Sequence, residues 1–151
     1  MQVFKFGGAS VKDADAVRNV ASILKKHVDR KTVVVISAMG KTTNALEEIL
    51  TAKLNSDSSI EDLVNQFFHF HEKILIELMP KADDKTLNEF QKIQTTFIET
   101  LNQNIVTQNQ FYDSLVCFGE LFSTFIVSTY LNHLGIINEL IDARKLIKTD
   151  S

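Results

Sequence analysis

Thr32-Val33-Val34-Val35-Ile36 is a run of five β-branched residues with no polar alternation. Such a run reads as a strand covered on both faces, as in a parallel sheet. Upstream, Val3-Phe4-Lys5-Phe6 reads as a second short strand that stops at Gly7-Gly8. Between the two, Val17, Val20, Ala21, Leu24 and Val28 recur at helical spacing behind Asp13, a residue suited to the N-cap. Strand, helix, strand is a right-handed βαβ unit.

Beyond this unit the chain turns helical for most of its length. One segment runs from about Thr43 to Lys53. A second carries Leu63, Phe67, Phe70, Ile74 and Leu78 on one stripe and ends at Pro80. A third carries Leu87, Phe90, Ile93, Phe97, Leu101 and Ile105. The span from Phe111 to Leu134 is apolar nearly all round and reads as a single, deeply buried helix, closed by Gly135. Ile136 to Ile141 reads as a third strand. The expected fold class is therefore α/β, a three-layer α/β/α arrangement around a mainly parallel sheet with a long helical insert.

Composition sets the outer limits. The chain has 151 residues, the length of one domain, with 44% hydrophobic and 23% charged residues, too balanced for disorder. A net charge of −3 argues against a broad basic face for nucleic acid. No run approaches the roughly 20 apolar residues that span a bilayer, so no membrane partner is expected. The first residues lack a signal-peptide layout, making the cytoplasm the expected location. The single cysteine, Cys117, excludes an internal disulfide and a cysteine zinc cage, and no metal site is expected. His69 and His71 are two apart, which points them in different directions on a helix, and Cys117 and the phenylalanine stripes read as core.

Three stretches can carry chemistry. Lys5-Phe6-Gly7-Gly8-Ala9-Ser10 stands at a strand-to-helix junction, where glycine amides can turn toward an anion and the Lys5 ammonium can join them. A tight turn beside a solvated lysine would have the same letters. Ser37-Ala38-Met39-Gly40-Lys41-Thr42-Thr43-Asn44 is a small, hydroxyl-rich loop opening a helix. It is not a P-loop, because Val35 stands where that motif requires glycine. It suits a carboxylate or phosphate, unless Thr42 or Thr43 merely caps the helix. In Cys117-Phe118-Gly119-Glu120-Leu121-Phe122-Ser123, a carboxylate among apolar neighbours implies a paired or ligand-contacting Glu120, or else a solvent-facing one on an imperfectly buried helix. Gly119 inside an apolar helix costs about 1 kcal/mol relative to alanine, which a close backbone or ligand approach would explain.

Together these stretches resemble the aspartokinases of the amino-acid kinase superfamily. The run at 5–10 is similar to that family's Lys-Phe-Gly-Gly-Thr-Ser signature, with Ala9 in place of the threonine. Residues 34–44 resemble its second strand and loop, and Phe118 to Ser123 its Gly-Glu-x-x-Ser helix. Asp142-Ala143-Arg144 and Thr149-Asp150 resemble the segment leading to its later substrate residues. The resemblance implies ATP-dependent phosphorylation of the β-carboxylate of L-aspartate, with Mg²⁺ bridging the nucleotide phosphates. Lys5 would be catalytic, facing the transferring group; Gly7 and Gly8, with help from Ser10, would contact ATP; Ser37, Thr43 and Glu120 would hold aspartate. It also implies that residues 1–151 are the N-terminal, substrate-side part of a catalytic domain, without its nucleotide half or ACT regulatory domains. Such a piece is expected to show little kinase activity alone and to self-associate through surfaces left bare.

Two other readings share these features. One is a kinase of the same fold acting on a carbamate, acetylglutamate or a nucleoside monophosphate, against which the long insert with Gly119-Glu120 speaks. The other is a non-catalytic α/β module that binds an anion or a partner helix.

Overall fold

A computed structural model of the chain describes residues 1–27, 31–104 and 107–147. Strands β1 (Gln2–Phe6) and β2 (Thr32–Ile36) pair in parallel, Gln2 opposite Thr32 and Phe6 opposite Ile36. The crossover is α1 (Ala14–Lys25), preceded by a short 3₁₀ turn at Gly8–Val11. Asp13 caps α1 as its position implies, its carboxylate accepting from the Ala16 amide at 2.8 Å. Val17, Val20, Ala21 and Leu24 are buried along one stripe, while Val28 lies outside the described residues.

The helical region comprises α2 (Thr42–Leu54), α3 (Ile60–Leu78), α4 (Asp84–Leu101), α5 (Gln108–Val116), α6 (Phe118–His133) and the short α7 (Ala143–Leu146). Asp83 and Thr107 cap α4 and α5 with their side chains. Ile105, expected on the α4 stripe, falls outside the described residues. Helix α6 packs against α3, α4, α5 and β2, and is the central element of the core. Phe122, Phe67, Phe97 and His71 are fully or nearly fully buried there. The ring of Phe122 meets Phe67, Phe68, Phe90 and His71 at centroid distances of 5.5, 5.9, 5.3 and 4.8 Å. Helix α6 closes in a Schellman motif. Gly135 (φ +77°) donates to the Asn132 carbonyl and Ile136 to that of Leu131.

Four expectations are corrected. The single helix over 111–134 is two, interrupted at Cys117. Helices α5 and α6 share α2 and α4 as neighbours, and α6 alone also packs on α3 and β2. By length and composition the run Gln108–His133 would be apolar enough to cross a bilayer, contrary to the sequence reading. Half of its most apolar window is buried inside the protein. The third strand is absent among the described residues. Asn138 instead ties 136–138 back onto α6, its amide donating to Asn132 Oδ1 at 3.0 Å and its side chain bonding Ser128. Finally, the sheet is not covered on both faces among the described residues. Phe4, Phe6, Val34 and Ile36 face the helices, whereas Val3, Val33 and Val35 are 63%, 46% and 45% exposed, on the same open face as Lys5. The three-layer expectation therefore reduces to two layers, with a two-stranded parallel sheet.

Candidate functional site

At the carboxyl ends of the two strands, two loops and the first turn of α6 meet around Ala38. The β2 ladder runs on by one bond, from Ser37 N–H to the Phe6 carbonyl at 3.0 Å. Gly40 N–H then donates to the Gly8 carbonyl at 3.0 Å, joining the loop after β2 to the loop after β1. A Cβ on Gly8 would lie 2.6 Å from the Ala38 carbonyl oxygen, so glycine is needed for the loops to touch. Gly40 turns the chain with φ +55°. Gly7 differs: its backbone is extended, and a Cβ there would meet nothing within 4 Å. The protein itself does not require glycine at 7, and the space beside it is open to a ligand.

From the other side, α6 reaches the same loop. A Cβ on Gly119 would lie 2.8 Å from that of Ala38, which is the close approach that accounts for glycine inside this helix. The peptide unit between Ser37 and Ala38 is held at both poles. Its carbonyl accepts from Ser123 Oγ at 2.7 Å, and its N–H donates to Glu120 Oε1 at 3.3 Å. Ser123 is fully buried. Glu120 is exposed, the solvent-facing alternative of the sequence reading, and is hydrogen-bonded as well. Phe118 and Phe122 point inward, and each stands two residues, about 200° of helix, from Glu120, which turns away from them.

Thr42 does not cap α2. Its hydroxyl donates to the Met39 carbonyl at 2.5 Å, and the N-cap residue, Lys41, offers no side-chain acceptor. The leading amides of α2 are thus not consumed by a cap, and a helix start of this kind attracts anions. Thr43 is half-buried on the first turn. Lys5 and Ser10 are exposed, and the side chains of Lys5, Ser10 and Thr43 make no hydrogen bond or ion pair among the described residues. Gly8, Ser37 and Glu120 are therefore brought into one network, with Gly7 next to it.

Sequence reading assigned no role to Ala38, Ser123 or Arg144. The signal for Ser123 was its spacing of three from Glu120 on an apolar helix. Arg144 clasps Asp142 with Nη2 at 2.7 Å and donates from Nη1 to Cys117 Sγ at 3.2 Å, tying the chain after residue 141 to the α5–α6 junction. These bonds from Arg144 hold the Asp142 carboxyl below the usual range. Burial pushes the Cys117 thiol up, against the pull of the guanidinium. Thr149 and Asp150 lie outside the described residues.

Gly8→Ala is expected to cost about 1–3 kcal/mol, as overpacking of a close contact does, and to part the two loops. A urea midpoint equal to that of the unsubstituted chain would show that the contact with Ala38 is not needed.

The amino acid kinase family matches residues 1–150 of the chain. The chain is 34% identical over 161 residues to Aspartokinase 1, chloroplastic, of Arabidopsis thaliana, covering 98% of this chain and 26% of that protein. It is 34% identical over 150 residues to Aspartokinase 2, chloroplastic, of the same plant (88% and 25%). Among solved structures it resembles E. coli aspartokinase III in complex with lysine and aspartate, with a TM-score of 0.75 at 25% identity over 89% of this chain and 29% of that one. The same enzyme in complex with aspartate and ADP gives a TM-score of 0.75 at 24% identity, over 89% and 29%, a likeness of fold. The chain spans about a quarter of the length of these curated relatives.

Proposed function

This chain belongs to the amino acid kinase family, and from that premise we propose that it is the substrate-side portion of an aspartokinase, acting in the cytoplasm in ATP-dependent phosphorylation of the L-aspartate β-carboxylate. The observation that carries this reading is the convergence on Ala38, which puts two glycine loops and the exposed Glu120 carboxylate at one rim of the sheet. An acceptor carboxylate is already a nucleophile, so the protein's work is positioning and charge neutralisation rather than proton abstraction. Lys5 supplies an unpartnered cation for the transferring phosphoryl group. Gly7, with open space beside it, and Gly8, packed against the Ala38 loop, supply backbone donors, and Ser10 can add a hydroxyl. Ser37 and Thr43 offer hydroxyls to the acceptor, and Glu120 suits its ammonium group. Mg²⁺ accompanying the nucleotide would screen its phosphate charge; among the described residues no group of three His, Cys, Asp or Glu side chains is placed to hold a metal, so the phosphates would carry it.

Because the relatives extend well beyond this span, binding is the direct test. In amide NMR spectra, millimolar L-aspartate should shift residues 37–44 and 120, and ATP should shift residues 7–10. Lys5→Ala should weaken ATP at least about tenfold, in keeping with loss of a charged contact worth about 1.5–3 kcal/mol, with circular dichroism unchanged. Absence of both ligand responses, or ATP binding indifferent to Lys5, would overturn the reading.

A further inference from the structure

The Ser37–Ala38 peptide is gripped by two side chains of one helix, and the grips are unequal. Ser123 and Glu120 lie three apart on α6, so both reach the same peptide unit. The Ser123 bond is short, at 2.7 Å, and comes from a fully buried residue, whereas the Glu120 bond is long, at 3.3 Å, and comes from an exposed one. Bonds from N–H donors to a carboxylate are shortest and strongest when the donor is itself charged, about 2.7–2.9 Å. An ammonium group arriving at Glu120 is therefore a better partner than the Ala38 amide. Once released, that amide is a donor at the rim with no remaining acceptor, and its direction stays fixed because Ser123 still holds the carbonyl on the other side of the same plane.

We propose that Glu120 masks the Ala38 N–H, and that the ammonium group of an amino-acid acceptor, by drawing Glu120 away, frees this N–H for the same molecule's carboxylate, with Ser123 as the positioning residue. The inference rests on the preceding reading of the acceptor as an amino dicarboxylate. It makes ammonium and carboxylate recognition cooperative: a dicarboxylate without an amino group meets a closed donor. Nothing covalent is exchanged; one hydrogen bond is traded for two.

The test uses this chain, L-aspartate and succinate, followed at the Ala38 amide by ¹⁵N NMR. L-Aspartate should shift this amide, and succinate should bind at least about tenfold more weakly, the equivalent of about 1.4 kcal/mol. Glu120→Ala, which removes the mask, should bind succinate about tenfold better than the unsubstituted chain. Glu120→Gln keeps an oxygen acceptor without its charge and should leave succinate weak. Equal improvement in both variants would mean simple charge repulsion and would overturn the mask. Ser123→Ala should weaken L-aspartate about tenfold and Ser123→Thr should restore it; an unaltered affinity in Ser123→Ala overturns the positioning role. If the unsubstituted chain binds neither acid, the aspartate reading fails separately. Hydrogen exchange then decides the mask: faster exchange of the Ala38 amide in Glu120→Ala supports it, and unchanged exchange overturns it.

Discussion

Phe122→Ala is expected to destabilise the chain by about 3–5 kcal/mol, the range for removing a large aromatic side chain from a packed core. The ring is wholly buried and touches four other rings contributed by α3 and α4. Edge-to-face neighbours such as Phe67 and Phe90 leave little freedom to collapse into the vacated space. Domains of this size are stable by about 5–15 kcal/mol in all, so the variant should sit near its unfolding midpoint in mild urea at neutral pH. Phe122→Leu, which keeps most of the volume, should cost about 1 kcal/mol. A loss below about 1 kcal/mol in the alanine variant would show that α6 is not packed on this ring.

The second large effect concerns His71, on the same cluster. Its Nδ1 lies 2.8 Å from the Phe67 carbonyl, so the bond requires the proton on Nδ1. Its Nε2 is buried with no partner among the described residues. Phe67, Phe70 and Phe122 surround the ring. Burial among these rings pushes the imidazole down from 6.5 to about 4, against a smaller opposing effect of the Phe67 bond. In the unfolded chain the ring takes up its proton near pH 6.5; in the folded chain it does so only near pH 4. Between these values the unfolded state binds more protons, so stability is complete above about pH 6.5 and falls as pH drops toward 4. The expected loss is about 3 kcal/mol. Urea midpoints measured from pH 7.5 to 4.5 should show this slope, and His71→Phe should abolish it. The same slope in both proteins would remove His71 as its cause. The carboxyls of Asp57, Asp83 and Asp142 are all held below their ordinary range, so they contribute at still lower pH.

Much of this architecture was legible because single residues carried it. The α1 stripe and its Asp13 cap, the α3 and α4 stripes, and the helix stop at Gly135 each follow from local chemistry. Cys117 gave no such signal. Helices α5 and α6 share α2 and α4 as neighbours on either side of the break, and Gly119, the one nearby anomaly, reflects contact with Ala38. Ile136 to Ile141 has the composition of a strand, but Asn138 finds acceptors and donors on α6 that its own letter does not disclose. Val33 and Val35 were read as covered because their type is suited to burial, yet nothing among the described residues lies over them. Glu120 was judged by its sequence neighbours, whereas a helix separates adjacent residues by about 100°. The meeting of 7–8, 37–40 and 119–123 could be guessed only through family resemblance, since no local rule links stretches so distant along the chain.

The bare flank of the sheet has one more consequence, for Lys5. Lys5 stands exposed beside Val3 and Val35. Its attraction for phosphate is therefore that of a surface charge, reaching only about 8–10 Å at physiological ionic strength. Added sodium chloride should loosen nucleotide through this residue while barely touching the uncharged bond between Ser123 and Ser37.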